Sequence, residues 1–293
     1  MAAAAPTYVS GRVGVVGLGL IGGSFAKAFA AAGQEVFAWN RTQDTLRLAR
    51  IETIAGELDE DTIPTCELIV LCTYPEHCVE WLEEHADLVS PGAVVIDAGG
   101  TKRMVCGRCH EIARKRPWEF CGAHPMAGTQ FSGFAWSRAD LFVSAPIVLV
   151  PRTDQDPVVR MEFLERLKDL LGPCAFGTWS TCTPEEHDRI IAYTSQLAHV
   201  VSNAYVKSPT ARDHLGFSAG SYKDLTRVAQ LNADMWSELF LENADNLSAE
   251  IGQLMQALSQ YKDAIDTGDR EALRELLAEG DRLKRAADGR ARA

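Results

Sequence analysis

Short apolar runs separated by glycine-rich turns set the rhythm of the first half of the chain. Val13 to Val16 form a β-branched run that turns through glycines into an alanine-rich stretch ending at Gly33, with "EVFAWN" next. That order predicts strand, glycine turn, helix and strand, the unit of a parallel sheet. "CELIVLCTYP" and "GAVVIDAGG" are apolar without strict alternation, as expected of strands covered on both faces. "APIVLVP" predicts another strand, and "PVVRMEFLERLKDLLG" a helix closed by Gly172.

From about residue 183 the period becomes helical and stays so. Thr183 stands as N-cap, Pro184 in the first turn, and Glu186 three residues after the cap. The change places a domain boundary near residue 180, with a dinucleotide-binding part over 1–180 and a helical part over 181–293. Phe240, Ala244, Leu247, Ile251, Leu254, Leu258, Tyr261 and Ile265 alternate spacings of four and three, a narrow seam suited to another helix. The seam packs either inside one subunit or between two; its length favours a homodimer interface. The expected fold class is α/β, an N-terminal Rossmann-type doubly wound parallel sheet with a C-terminal all-helical dimerisation domain.

Composition narrows the partners. The chain has 293 residues, 46% hydrophobic, and a formal net charge of −11, which supplies core for two domains and argues against a broad nucleic-acid or anionic-membrane surface. The N-terminal stretch lacks both a basic flank before an apolar run and a spanning segment, so the expected location is cytoplasmic, without membrane attachment. Eight cysteines without a secretory signal read as reduced thiols. "CGRCH" at 106–110 matches a haem-attachment pattern. It lacks a second ligand pair for zinc and reads as a surface helix with small residues inward, so no metal site is expected.

Gly17, Gly19 and Gly22, with Leu20 and Ile21 between the last two, form G-L-G-L-I-G between a strand and a helix. The first glycine permits the turn, the second lets backbone approach a pyrophosphate, and the third lets helix and strand pack closely. An acid at the end of the second strand would hold the ribose hydroxyls of NAD. The chain instead has Asn40, Arg41 and Thr42. Arg41 can pair a 2′-phosphate in fork geometry, so NADP is expected as cofactor, with NAD possible. Thr73 and Pro75, in the turn after the third apolar run, are expected to line the cofactor. Gly99, in the turn after "VVID", falls at the ligand crevice of such a sheet.

His124, in "GAHPMAGTQFSG", is held before Pro125 and so biased toward an extended loop. A neutral imidazole there can accept a hydroxyl proton. "GLGLIGGS", "GAHPMAGTQFSG", "TPEEHD", "SYKDLTRVA" and "MWSELFLEN" occur in the order seen in the prephenate and arogenate dehydrogenases of tyrosine biosynthesis, which the chain resembles over nearly its whole length. The resemblance implies a Rossmann domain, a helical dimerisation domain, and oxidative decarboxylation of prephenate or arogenate with a nicotinamide cofactor. It implies that His124 takes the C4 hydroxyl proton and that Arg227, in "KDLTR", binds a substrate carboxylate. Thr129 and Gln130 follow the catalytic loop and are expected near substrate.

Two positions depart from the family pattern. Gly100 stands where many members have serine, leaving Thr101 as the nearest hydroxyl, and "SQLAH" stands where many have S-H-L-P-H. Gln196 thus replaces a histidine expected at the substrate, and His199 remains. "TPEEHD" is read as a helix start, with His187 and Asp188 structural. Competing readings are a β-hydroxyacid-type dehydrogenase, a dehydrogenase for a 4-amino analogue of prephenate, and an NADP-sensing protein without turnover.

Overall fold

Branched and aliphatic residues on successive strand positions point to opposite faces, and both faces here are covered. Val94 and Ile96 join a cluster built on Phe25, Phe29 and Phe142, whereas Val95 joins one built on Leu82 and Phe120. That two-sided burial is why these strands read as continuous apolar runs rather than alternating ones. The computed structural model describes residues 5–129 and 131–290, which form two compact units, 1–243 and 244–293.

In the first unit the order is β1 (Val13–Val16), α1 (Leu20–Ala31), β2 (Val36–Trp39), α2 (Gln43–Glu52), β3 (Gly56–Glu57), β4 (Leu68–Leu71) and α3 (Pro75–His85). It continues through β5 (Val94–Asp97), α4 (Arg103–Ala113), β6 (Glu119–Pro125), β7 (Pro146–Val150), α5 (Pro157–Leu170) and β8 (Thr178–Thr181). The helical remainder is α6 (Pro184–Ile191), a π-helical segment (Ala192–Leu197), α7 (Ala198–Tyr205), α8 (Gly220–Thr226) and α9 (Ala233–Glu242).

The eight strands lie in the order β3-β2-β1-β4-β5-β6-β7-β8. All neighbouring pairs are parallel except β6 with β7, where His124 stands opposite Val148. The chain winds outward from β1 to β3, then crosses back to β4 on the other side of β1. The strand order therefore reverses beside β1, and a ligand crevice opens outside the carboxyl ends of the strands at such a point. Three strands escaped the hydrophobic pattern: β6 runs on through His124 to Pro125, where an extended loop was expected. β8 is the edge sequence TWST, largely exposed, and β3 is only two residues long.

The second unit contains α10 (Ala244–Asp266) and α11 (Arg270–Arg290), joined by a turn in which Gly268 takes φ +65°. The heptad-like seam does not run on one helix, because α9 ends at Glu242 and α10 starts at Ala244. Asn243 breaks it: its buried amide donates to the Asp188 carbonyl and to Gln196 Oε1, both at 2.8 Å. Along α10, Leu247 is buried while Leu258 and Ile265 are 58% and 63% exposed. Among the described residues no helix is long and apolar enough to cross a membrane.

Candidate active site

At the β1–α1 turn the three glycines do different work. A Cβ on Gly17, which takes φ +93°, would meet the Cys72 carbonyl at 2.8 Å, and one on Gly22 would fall 1.9 Å from the Gly17 carbonyl. Gly19 faces open space, with nothing within 4 Å. The protein itself thus requires the outer two, while the middle one leaves backbone bare on the open side. Leu20 and Ile21 form the first turn of α1, which has neither an acidic residue nor a side-chain cap at its N-terminus, as an incoming pyrophosphate needs.

Gly17, Leu18 and Gly19 border a cleft of about 640 Å³ that is also lined by Trp39, Asn40, Arg41, Thr42, Thr73 and, from α3, Trp81 and His85. Asn40 is not free for a phosphate. Its Oδ1 accepts from the Leu18 amide at 2.9 Å and its Nδ2 donates to the Thr42 carbonyl at 3.2 Å, which fixes the glycine turn against β2. Arg41 and Thr42 remain exposed on the cleft wall. Thr73 Oγ1 lies 3.1 Å from Cys78 Sγ, and Pro75 is buried in the first turn of α3. The cleft thus has the bare backbone, free helix terminus and exposed cation that a dinucleotide phosphate requires.

The second centre lies at the ends of β5 and β6. His124 comes from the last turn of extended chain in β6, not from the loop beyond it, because β7 pairs with the whole GAHP stretch. Its Nδ1 lies 2.9 Å from Nε2 of His187, whose Nδ1 lies 2.7 Å from Asp188 Oδ1. His187 and Asp188, expected to be only a helix start, are therefore in contact with the candidate base. The Thr183–Glu186 capping box does start that helix, and it aims the two following side chains inward.

Asp188 in turn accepts the Lys102 amide at 2.7 Å and the Arg103 amide at 2.9 Å. Beneath them lies a fully buried ion pair, Lys102 Nζ to Asp97 Oδ2 at 2.5 Å. Lys102 also donates to the Gly99 carbonyl at 2.8 Å, and Asp97 accepts from the amides of Gly99 and Ala123. Asp97 and Lys102 thus lock the β5–α4 turn to the residue before His124. Burial opposes the Lys102 charge, yet Asp97 holds its pKa above the ordinary value. Burial, then His187 and Lys102, push the His124 pKa well below the usual imidazole range. Burial also lowers that of His187, against the pull of Asp188.

The other expected site residues make contacts of their own. Thr101 is buried and donates to Glu242 of α9, and Gly100 packs under Leu239. Gln196, expected at the substrate, is instead a buried internal link: it donates to the Leu239 carbonyl at 2.9 Å and accepts from Asn243. His199 bonds the Val228 carbonyl at 3.1 Å and packs on Trp236, ring centroids 3.9 Å apart. Arg227 ends α8 with an exposed side chain, and its charge helps burial lower the His199 pKa. Thr129 accepts from the Phe131 amide and shapes its own loop. Gln130 lies outside the described residues. Cys106 and Cys109 of the CGRCH stretch face the core from α4.

A dinucleotide-binding sheet with an imidazole at the end of a neighbouring strand defines a nicotinamide-dependent dehydrogenase. Residues 25–175 match the family model "Prephenate dehydrogenase, nucleotide-binding domain", and residues 183–279 match "Prephenate dehydrogenase, dimerization domain". The chain belongs to the prephenate dehydrogenase family. It is 28% identical to the prephenate dehydrogenase of Bacillus subtilis over 276 residues, covering 88% of this chain and 71% of that one. Arogenate dehydrogenase of Synechocystis superposes with a TM-score of 0.75 at 28% identity, covering 93% of this chain and 99% of that one. Prephenate dehydrogenase of Aquifex aeolicus, in complex with hydroxyphenyl propionate and NAD+, gives 0.79 at 27% identity, covering 94% and 97%.

Proposed function

We propose that the protein oxidatively decarboxylates prephenate or arogenate, with NADP as the preferred dinucleotide, and works as a homodimer through its helical part. The observation that carries this reading is His124, partly exposed at the crevice end of β6 and bonded through Nδ1 alone among the described residues. A neutral imidazole so placed has one nitrogen left for a substrate hydroxyl.

When bound, the nicotinamide supplies the acceptor for the hydride leaving C4 of the substrate ring. His124 takes the C4 hydroxyl proton as the C4 carbonyl forms. The bond from C1 to its carboxylate then breaks, carbon dioxide leaves, and the electron pair makes the ring aromatic. The phenolate oxygen recovers the proton from His124, so the base ends as it began. Arg227 offers a planar fork to a substrate carboxylate, with His199 beside it; Thr129 and, by its place in the sequence, Gln130 are further candidates for the substrate. Thr101 serves the site through Glu242, holding α9 against the β5–α4 turn.

The cofactor preference rests on Arg41 and Thr42 on the cleft wall and on the absence of an acid at the end of β2. The functional boundary is placed near residue 180, between the two stretches matched by the family models. The test is turnover of prephenate and of arogenate by purified protein with NADP or NAD, following reduced nicotinamide and the aromatic product. At least tenfold higher kcat/KM with NADP, lost in Arg41→Ala, is expected. No product from either substrate would end the reading.

A further inference from the structure

The contacts from His124 through His187 to Asp188 have only one consistent polarity. Asp188 Oδ1 and Oδ2 receive the backbone N–H groups of Lys102 and Arg103, and an ionised carboxylate has no proton to give. His187 therefore donates to Asp188 from Nδ1. A neutral imidazole that donates at one nitrogen accepts at the other, so Nε2 of His187 accepts from Nδ1–H of His124. That leaves the lone pair of His124 on Nε2.

We propose that His187, anchored by Asp188, is a positioning residue that locks His124 in the tautomer whose Nε2 receives the substrate proton. The proposal rests on the reading of His124 as the base. It assigns a role to a side chain that is buried and contacts the candidate base from inside the protein. The step is balanced: the substrate O–H bond breaks, an Nε2–H bond forms on His124, and that bond breaks again when the phenolate takes the proton back. Throughout, Nδ1 keeps its hydrogen bond to His187, so the ring need not turn between the two transfers.

The charged groups around the pair come from three elements. Asp97 lies at the end of β5, Lys102 and Arg103 at the start of α4, and Asp188 on α6 beside His187. Burial and Lys102 disfavour a proton on either ring, while Asp188 and Asp97 favour one on His187. Both rings are therefore neutral near pH 7, as the donor and acceptor assignments require. Asp188 is held ionised by His187 and by the two amides, which outweigh the effect of its burial.

The direct test is the ¹⁵N spectrum of the histidine side chains in wild-type protein at pH 7.5. His124 is expected with a protonated Nδ1 and an unprotonated Nε2. His187→Phe should lower kcat about 100-fold with KM within threefold, and should leave His124 in mixed tautomers. His187→Gln, whose amide oxygen can accept from Nδ1–H, should recover activity to within tenfold of wild type. A proton on Nε2 of His124 in the wild type would overturn the proposal, as would wild-type kcat and an unchanged pH profile in His187→Phe. Should that variant not fold, the wild-type spectrum decides alone. If the wild type turns over neither substrate, the functional reading falls while the spectrum still decides the tautomer.

Discussion

The glycine turn and the histidine centre are built by opposite means. At the β1–α1 turn, six consecutive residues make the site by leaving atoms out: a Cβ on Gly22 would strike the Gly17 carbonyl, while one on Gly19 would meet nothing. At the β5–β6 end, atoms converge from Asp97, Lys102, His124 and Asp188, spread over about ninety residues of chain, and meet through charge and hydrogen bonds. The first is local and tolerant of its surroundings. The second depends on the helical part folding against the sheet, because α6 supplies both His187 and Asp188.

The largest expected break of that comparison is Lys102→Met. It keeps the length of the side chain but leaves Asp97 buried and unpaired, a loss of about 3–5 kcal/mol. Urea unfolding should show it, and a loss under 1 kcal/mol would mean that the pair does not support the turn. At the glycine turn, Gly22→Ala should lower both Tm and dinucleotide affinity, the latter at least 30-fold by calorimetry. Gly19→Ala should keep the wild-type Tm and lose affinity only, since its Cβ meets no protein atom within 4 Å. Equal Tm losses in the two variants would erase the distinction.

A smaller effect is pH-dependent. His187 is buried and His124 and His110 are partly buried, and all three have lowered pKa values, His110 to about 4, loss of solvent being the largest cause in each. The unfolded chain binds their protons below about pH 6.5 while the folded one does not. Stability should therefore be intact above that pH and fall as pH drops from 6.5 toward the folded values, by up to about 1.4 kcal/mol per histidine per pH unit. Unfolding free energies at pH 7.5 and 5.5 test this, and a flat profile would contradict the neutral assignment.

This contrast explains what the sequence made legible. Strand runs and the glycine turn are local patterns, so the parallel sheet, the G-L-G-L-I-G turn and the helical end could be read from the chain. Family resemblance then marked His124 and Arg227. His187 and Asp188 were taken for a helix start because Thr183 and Glu186 account fully for that start. A histidine and an aspartate directly after a capping box, on the inward side of the first turn, were the available signal. The internal bonds of Gln196 were hidden for a related reason: only the fold shows that Asn243 and the Leu239 carbonyl use its amide. Asn40 likewise faces the turn it stabilises rather than a phosphate.

The helix break at Asn243 was also invisible to periodicity, since the apolar spacing of four and three continues across it. What stops the helix is a buried amide that ties α9 to Asp188 and Gln196, a long-range contact with no local signature. The same spacing leaves Leu258 and Ile265 of α10 exposed.

The role of His124 is tested most directly by comparing kcat of wild type and His124→Asn with saturating dinucleotide and the preferred substrate, alongside calorimetric binding of that substrate. Turnover is predicted to fall about 1,000-fold while substrate affinity stays within threefold. Unchanged turnover, or a loss confined to affinity, would contradict it.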